Sequence, residues 1–412
     1  MKGSVMVLGA VRDEIPLINA FRDRGYRIVV VGKGSSFPCC SLADRFYDVD
    51  LKDKDELLKI ASSEHVQAVA SNIVSIATSN TAWLADRLGL PGIGYDVAMR
   101  FTNKYLMREA ALAAGVGCPP FDAVRTADEA LLFASRHGYP LVMKPVDGNS
   151  SRGVFKVECD ADIVTHFDEC LGEALNDKFV LIEGFVEGEE YIVDSFCSGG
   201  VCYNTDVAIK EHFPIEDKFI SKAVVIQDAD HCTSSVEQKL LAANKTLVEA
   251  MKLPYGPTHG EYIYSSKDDR VYLVEVAARG GGVRLSSDLI PLATGVQISD
   301  LLAQCALGED PLAGDVLKLS HGAASWFAFS LPEGTVSGIS GAEDVLSLPG
   351  VDYFDLDDLA VGLPAKTLRD DGGKYGPLVA HGDTRADCLK VREEVKLLFD
   401  VSVDGKSGCA SW

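Results

Sequence analysis

His259-Gly-Glu261-Tyr-Ile-Tyr264, a polar turn at Lys267-Asp-Asp-Arg270, and Val271-Tyr-Leu-Val-Glu275-Val-Ala-Ala-Arg279-Gly-Gly-Gly282 form the stretch from which this chain is read. Strand-forming residues on both sides of a short turn make an antiparallel hairpin. Glu261 and Glu275 stand about equally far from the turn centre, which sets them opposite one another on one sheet face. Two carboxylates side by side in a mostly apolar strand pair repel unless a cation lies between them. Mg2+, which takes one or two carboxylates together with nucleotide phosphates, meets that need. Arg279 and the glycines after it put a guanidinium where backbone can approach an anion closely. A chance pair of edge glutamates is the plainer reading, and the arginine with its triple glycine speaks against it.

Upstream, Ile182-Glu183-Gly184-Phe185-Val186-Glu187-Gly188-Glu189-Glu190-Tyr191 takes one strand into an acidic turn and another out of it. Backbone groups in such a hinge can read an adenine edge, and Glu190 can accept bonds from ribose hydroxyls. Further back, Lys144-Pro-Val-Asp-Gly-Asn-Ser-Ser-Arg-Gly153 ends a strand in a lysine and continues in small residues. Their N–H groups can converge on phosphate oxygens, with the lysine aimed at the same anion. The phosphate loop GxxxxGK[ST] is absent from the chain. Asn103-Lys104 lies in a helical stretch after the Leu90-Pro-Gly-Ile-Gly94 turn. Taken singly, a solvated acidic loop, a Gly-Ser hairpin loop and a surface lysine explain these three features equally well.

The 412 residues carry 39 Lys and Arg against 61 Asp and Glu, a formal net charge of −22. Binding to nucleic acid or an anionic membrane needs a dense cationic surface, so the charge argues against both, though not against a small anion in a locally basic pocket. Hydrophobic residues make up 47 % of the chain, enough to bury a large core. The amino-terminal segment lacks a signal-peptide pattern, and no run of about 20 apolar residues occurs, so no spanning helix is expected. The 11 cysteines, odd in number and without CxxC spacing, read as reduced thiols of a cytoplasmic protein.

Apolar runs at 5–8 (VMVL) and 28–31 (IVVV) alternate with amphipathic stretches, giving an open, doubly wound α/β unit over 1–94. A helical connector is expected at 95–118, a mixed piece at 119–186, a larger α+β piece at 187–313 and a strand-rich tail at 314–412. After the first strand comes Gly9-Ala-Val-Arg-Asp-Glu14, not GxGxxG, which weighs against a nicotinamide-dependent oxidoreductase.

Taken in order, Lys104, Lys144 with its Gly-Ser loop, the EGFVEGEEY hinge and the Glu261/Glu275–Arg279 hairpin resemble the ATP-grasp superfamily, and most closely its carboxylate–amine ligase branch. The resemblance covers about 91–308 directly. It implies a chain of α/β and α+β class: a Rossmann-like unit, a two-subdomain ATP-grasp fold with lid (119–186) and catalytic (187–313) parts, and a strand-rich C-terminal subdomain. It further implies Lys104 and Lys144 on the phosphates, and Ser150 and Ser151 in a loop that closes over them. Glu183, Gly184 and the backbone of Phe185 and Val186 would hold adenine, and Glu190 the ribose. Glu261 and Glu275 would hold one or two Mg2+ ions, for which Mn2+ can substitute. Arg279 would stabilise carboxylate, acyl phosphate and oxyanion in turn. Lys210 is a further candidate contact to phosphate or carboxylate, and Arg284 and Ser286 are candidates for gripping the second substrate. One departure stands out: the family usually has Asn two residues after the second glutamate, as another metal ligand, and here that residue is Ala277.

The activity so implied is ATP-dependent joining of a small-molecule carboxylate to an amine through an acyl phosphate, with ADP and phosphate released, in a homodimer. Bicarbonate chemistry of the carboxylase or carbamoyl phosphate synthase kind is the alternative on the same fold. A catalytically inactive nucleotide-binding regulator is the alternative of another class.

Overall fold

A computed structural model describes residues 2–34, 36–148, 152–175, 177–215, 220–320, 322–369 and 371–412. The first apolar runs become β1 (Ser4–Leu8), β2 (Arg27–Gly32), β3 (Arg45–Asp48) and β4 (Val66–Ala70), all parallel, in the order β3-β2-β1-β4. β1 and β2 are buried almost throughout, as central strands covered on both faces must be. The covering helix Ile15–Asp23 packs against Ile298–Ala306, almost 300 residues later, and an Arg24–Asp300 pair at 2.6 Å fastens that contact. Ile18 and Phe21 share one core with Phe196 and Leu302, so the amino-terminal unit is built onto the rest of the chain.

The connector expected as a continuous helix is two, Tyr95–Arg100 and Lys104–Ala114. The break has a local cause. The Asn103 side chain accepts from the amides of Tyr105 and Leu106, an N-cap that starts a new helix with Lys104 as its first residue. Gly115, at φ 72°, ends it.

The lid is a four-stranded antiparallel sheet of β5 (Phe121–Val124), β6 (Leu141–Pro145), β7 (Phe155–Val157) and β8 (Val180–Gly184), in the order β5-β8-β6-β7. Helices Ala127–His137 and Asp160–Gly172 pack on it. The larger piece contributes β9 (Glu189–Ser198), β10 (Val201–His212), β11 (Ser221–Asp228), β12 (Gly256–Ser265) and β13 (Arg270–Ala277).

The tail supplies β14 (Ala323–Phe329), β15 (Val336–Ser340), β16 (Val351–Phe354), β17 (Tyr375–Gly382) and β18 (Asp400–Val403). A boundary at 313 runs through a continuous sheet, because β14 pairs with β11 and carries β17 and β16 with it. The result is eight strands in the order β13-β12-β9-β10-β11-β14-β17-β16, with β15 and β18 pairing apart. Every residue of β14 is buried, and such a strand is stable inside a sheet rather than at its edge. Among the described residues no single helix is long and apolar enough to cross a membrane, and all eleven cysteines are free thiols.

Candidate active site

The β12–β13 hairpin fixes the geometry. Its register sets Glu261 opposite Glu275 and His259 opposite Ala277, so all four share one face. The two glutamates open on a cleft between the lid and the large sheet, of about 1020 Å³ including its mouth. Lys104, Lys144, Glu183, Glu190 and Lys210 line it, as do the hinge residues Gly184, Phe185 and Val186.

Within the cleft, cations meet acids in pairs. Lys104 Nζ lies 3.0 Å from Glu275 and donates to the Gly148 carbonyl at 2.7 Å. Lys210 donates to Glu190 and lies 3.4 Å from Glu261. Lys144 pairs with Glu183, and Arg108 grips the same carboxylate through Nε at 2.7 Å and Nη2 at 3.1 Å. Arg108 is a site residue that sequence reasoning missed. It sits four residues after Lys104 on the same helix face, with Met107 and Ala111 buried around it. A cation repeated at that spacing on an otherwise buried face is the signal that could have found it.

Burial by itself raises the Glu183 carboxyl, but Arg108 and Lys144 overcome it and hold the group at about 2. Lys144 is also pushed down, because burial and the nearby Arg108 and Lys104 together outweigh Glu183. Glu261 and Glu275 are held low against burial, chiefly by Lys210 and by Lys104 respectively. Both are therefore ionised oxygen donors on one face, a donor set that fits Mg2+. Ala277 adds no donor, and among the described residues no three His, Cys, Asp or Glu side chains are arranged to hold an ion by themselves. A Mg2+ ion here would find two protein donors, Glu261 and Glu275, and would need its remaining oxygens from elsewhere. Beside them His259 bonds Asp194 through Nδ1 at 2.8 Å, its Nε2 lies 3.5 Å from Glu261, and the two acids raise it to about 9 against burial.

The hinge amides are partly spoken for: Gly184 N–H donates to the Pro120 carbonyl at 2.9 Å and Phe185 N–H to that of Pro140 at 3.2 Å. Ser150 and Ser151 lie outside the described residues.

A second cavity, of about 900 Å³ including its mouth, adjoins the first, and Gly148 and Glu275 line both. Lys54, Ser75, Tyr95, Phe101 and Arg279 are among its walls. Arg279 donates from Nε to Ser75 Oγ at 2.9 Å and from Nη1 to the Gly280 carbonyl at 2.8 Å.

The glycines after Arg279 do something other than expected. A Cβ on Gly280 would collide with Ser286 and lie 2.7 Å from Asn72 Oδ1, and one on Gly281 would lie 2.9 Å from His259 Nδ1. Gly280 N–H donates to the Asn72 carbonyl at 2.7 Å. Gly280 thus lets the amino-terminal unit close on the hairpin beside Ser75 and Arg279, while Gly281 makes room for Leu285 and His259.

Arg284 and Ser286, expected on the second substrate, line neither cavity. Arg284 has left-handed backbone, φ 63°, which turns its guanidinium over the Tyr353 ring at 3.6 Å and towards Asp288 at 3.0 Å. Ser286 is buried and bonded to Asn72 at 3.1 Å. Both residues tie the amino-terminal unit and the tail to the large sheet.

A profile of the ATP-grasp domain matches residues 137–287. The chain is 25 % identical over 361 residues to the formate-dependent phosphoribosylglycinamide formyltransferase of Rhodococcus jostii (strain RHA1), covering 84 % of this chain and 85 % of that one. It is 22 % identical over 309 residues to the L-arginine-specific L-amino acid ligase of Bacillus subtilis, covering 72 % and 70 %. The solved structure of the L-amino acid ligase from Bacillus licheniformis superimposes with a TM-score of 0.81 at 18 % identity, over 98 % of this chain and 100 % of that one.

Proposed function

The chain carries an ATP-grasp domain, and from that premise we propose that it is an ATP-dependent ligase joining a small-molecule carboxylate to an amine through an acyl phosphate. The observation that carries this reading is the meeting of two cavities at Glu275 and Gly148. A nucleotide lying in the first cleft would present its terminal phosphate at the seam, and an acid in the second would lie beside Arg279. The carboxylate oxygen attacks the γ-phosphorus and ADP leaves. The amine nitrogen then attacks the acyl carbon, and phosphate leaves.

In this scheme Lys104 and Lys144, already held by Glu275 and Glu183, turn to the phosphates. Glu190 accepts from the ribose hydroxyls. Adenine is read by backbone of the hinge at Val186, since the Gly184 and Phe185 amides are committed to the lid. Mg2+ held by Glu261 and Glu275, one ion or two, would neutralise phosphate charge. Arg279 offsets the charge of the acid and of the oxyanion that follows, and Lys210 adds a cation on the Glu261 side. Burial between lid and sheet keeps water from the acyl phosphate.

Release of ADP and phosphate from Mg-ATP, with acids and amines supplied singly and in pairs, tests the reading. Release that requires both is expected. Release driven by bicarbonate alone would replace ligation with carboxylase chemistry, and ATP binding without release under any addition would favour the regulator.

A further inference from the structure

We propose that the acid taken by the second cavity carries another anionic group, a carboxylate or a phosphate, and that Lys54 receives it. The inference rests on the ligase reading, which places the reacting acid in that cavity.

The charges lining the cavity divide unevenly. Its three acids are already engaged. Glu275 is paired with Lys104, Asp147 accepts the amides of Leu175 at 2.8 Å and Asp177 at 3.1 Å, and Asp177 accepts from Asn103 Nδ2 at 2.9 Å. Its two cations are Lys54 and Arg279, and among the described residues neither has a carboxylate within 4.0 Å. On a chain with 61 acids against 39 bases, two cations in one cavity without a directly paired carboxylate are not what composition delivers. One of them suffices for the reacting carboxylate, and Arg279 is beside the seam where that group must lie. Lys54 is the surplus.

Lys54 is also held in place. Its Nζ lies 5.0 Å from the Tyr95 ring centroid and 5.7 Å from that of Trp83, and it donates to the Tyr95 hydroxyl at 3.5 Å. Aromatic faces steady an ammonium without cancelling its charge, so the cation stays available to a ligand. Ile76, Met99 and Phe101 supply apolar wall in the same cavity, suited to a short carbon chain joining two anionic ends.

The test uses the full-length protein with Mg-ATP and hydroxylamine as a general amine, reading hydroxamate formation. Acids are offered in pairs that differ in the charge of the tail: succinate and succinamate, glutarate and glutaramate, O-phosphoserine and serine. The expected result is a kcat/KM at least tenfold higher for the anionic-tail member of one or more pairs. Lys54→Met should erase most of that ratio by raising KM, and Lys54→Arg should restore it. Whether the dicarboxylates or phosphoserine show the effect separates the two sources of charge. Neutral-tail acids used as well as their anionic partners by the wild-type protein would overturn the inference and leave the ligase reading standing. An anionic preference that persists in folded Lys54→Met would also overturn it. Should Lys54→Met fail to fold, the wild-type pairs and Lys54→Arg still decide. If no acid gives hydroxamate, calorimetric titration of succinate, glutarate and phosphoserine into the protein with a non-hydrolysable ATP analogue decides. Binding abolished by Lys54→Met keeps the site and no binding overturns the inference, while the ligase reading is decided separately by the release of ADP and phosphate.

Discussion

Glu14 in the amino-terminal unit and Glu183 at the cleft are both nearly without solvent, 0 % and 5 % exposed, yet they end in opposite states. Burial pushes both carboxyls up. At Glu14 only neutral donors answer it, the amides of Asn72 and Ile73 and the hydroxyl of Ser71 at 2.9–3.0 Å, and the group settles at about 7. At Glu183 two cations answer it, and the group falls to about 2. The first glutamate is a clip that holds the loop after β4 against the hairpin glycines. The second is a fixed counter-charge that keeps Arg108 and Lys144 in a buried wall. Equal burial therefore says little about charge, and the partner decides.

The largest effect should come from breaking the second arrangement. Glu183→Gln leaves Arg108 and Lys144 buried without their acid, and urea unfolding should show a loss of about 3–5 kcal/mol. Glu14→Gln, which removes no charge partner, should cost about 1–2 kcal/mol at pH 5. Equal losses would break the contrast.

The pH dependence sharpens it next. Between pH 4.5 and 7 the folded chain keeps the Glu14 proton that the unfolded chain has lost, so stability falls as pH rises, by roughly 3 kcal/mol over the window. The Glu14 share of that slope should vanish in Glu14→Gln. Glu183 acts in the other direction: its contribution is present above pH 4.5 and is lost as pH falls from 4.5 towards 2. Urea midpoints of wild type and both variants from pH 3 to 8 check both signs. The smallest effect belongs to Ala277→Asn, which adds a hard donor beside Glu275. It should lower the Mg2+ concentration needed for half-maximal turnover, by up to about tenfold, with little change in stability.

Much of this was legible in the sequence where its meaning is local. Strand alternation and a short turn were enough to set Glu261 against Glu275, and the Lys144 strand and acidic hinge could be read the same way. What escaped depends on partners far along the chain. Arg108 acquires its meaning from Glu183, 75 residues away, and Gly280 from Asn72. Asn103 reads as helical from its surroundings, while its side chain caps the helix that follows. Arg284 reads as free to reach a substrate because nothing local reveals Tyr353 beneath it. β14 reads as part of a separate tail, since pairing with β11 leaves no mark in the sequence beyond its apolar composition.

An acyl phosphate formed where the two cavities meet would leave its mark on the released phosphate. With an acid that supports turnover labelled with 18O in its carboxylate, released phosphate should carry one labelled oxygen per turnover. Glu275→Ala should slow that release by about 10²-fold or more. Product formed with unlabelled phosphate would rule out an acyl phosphate.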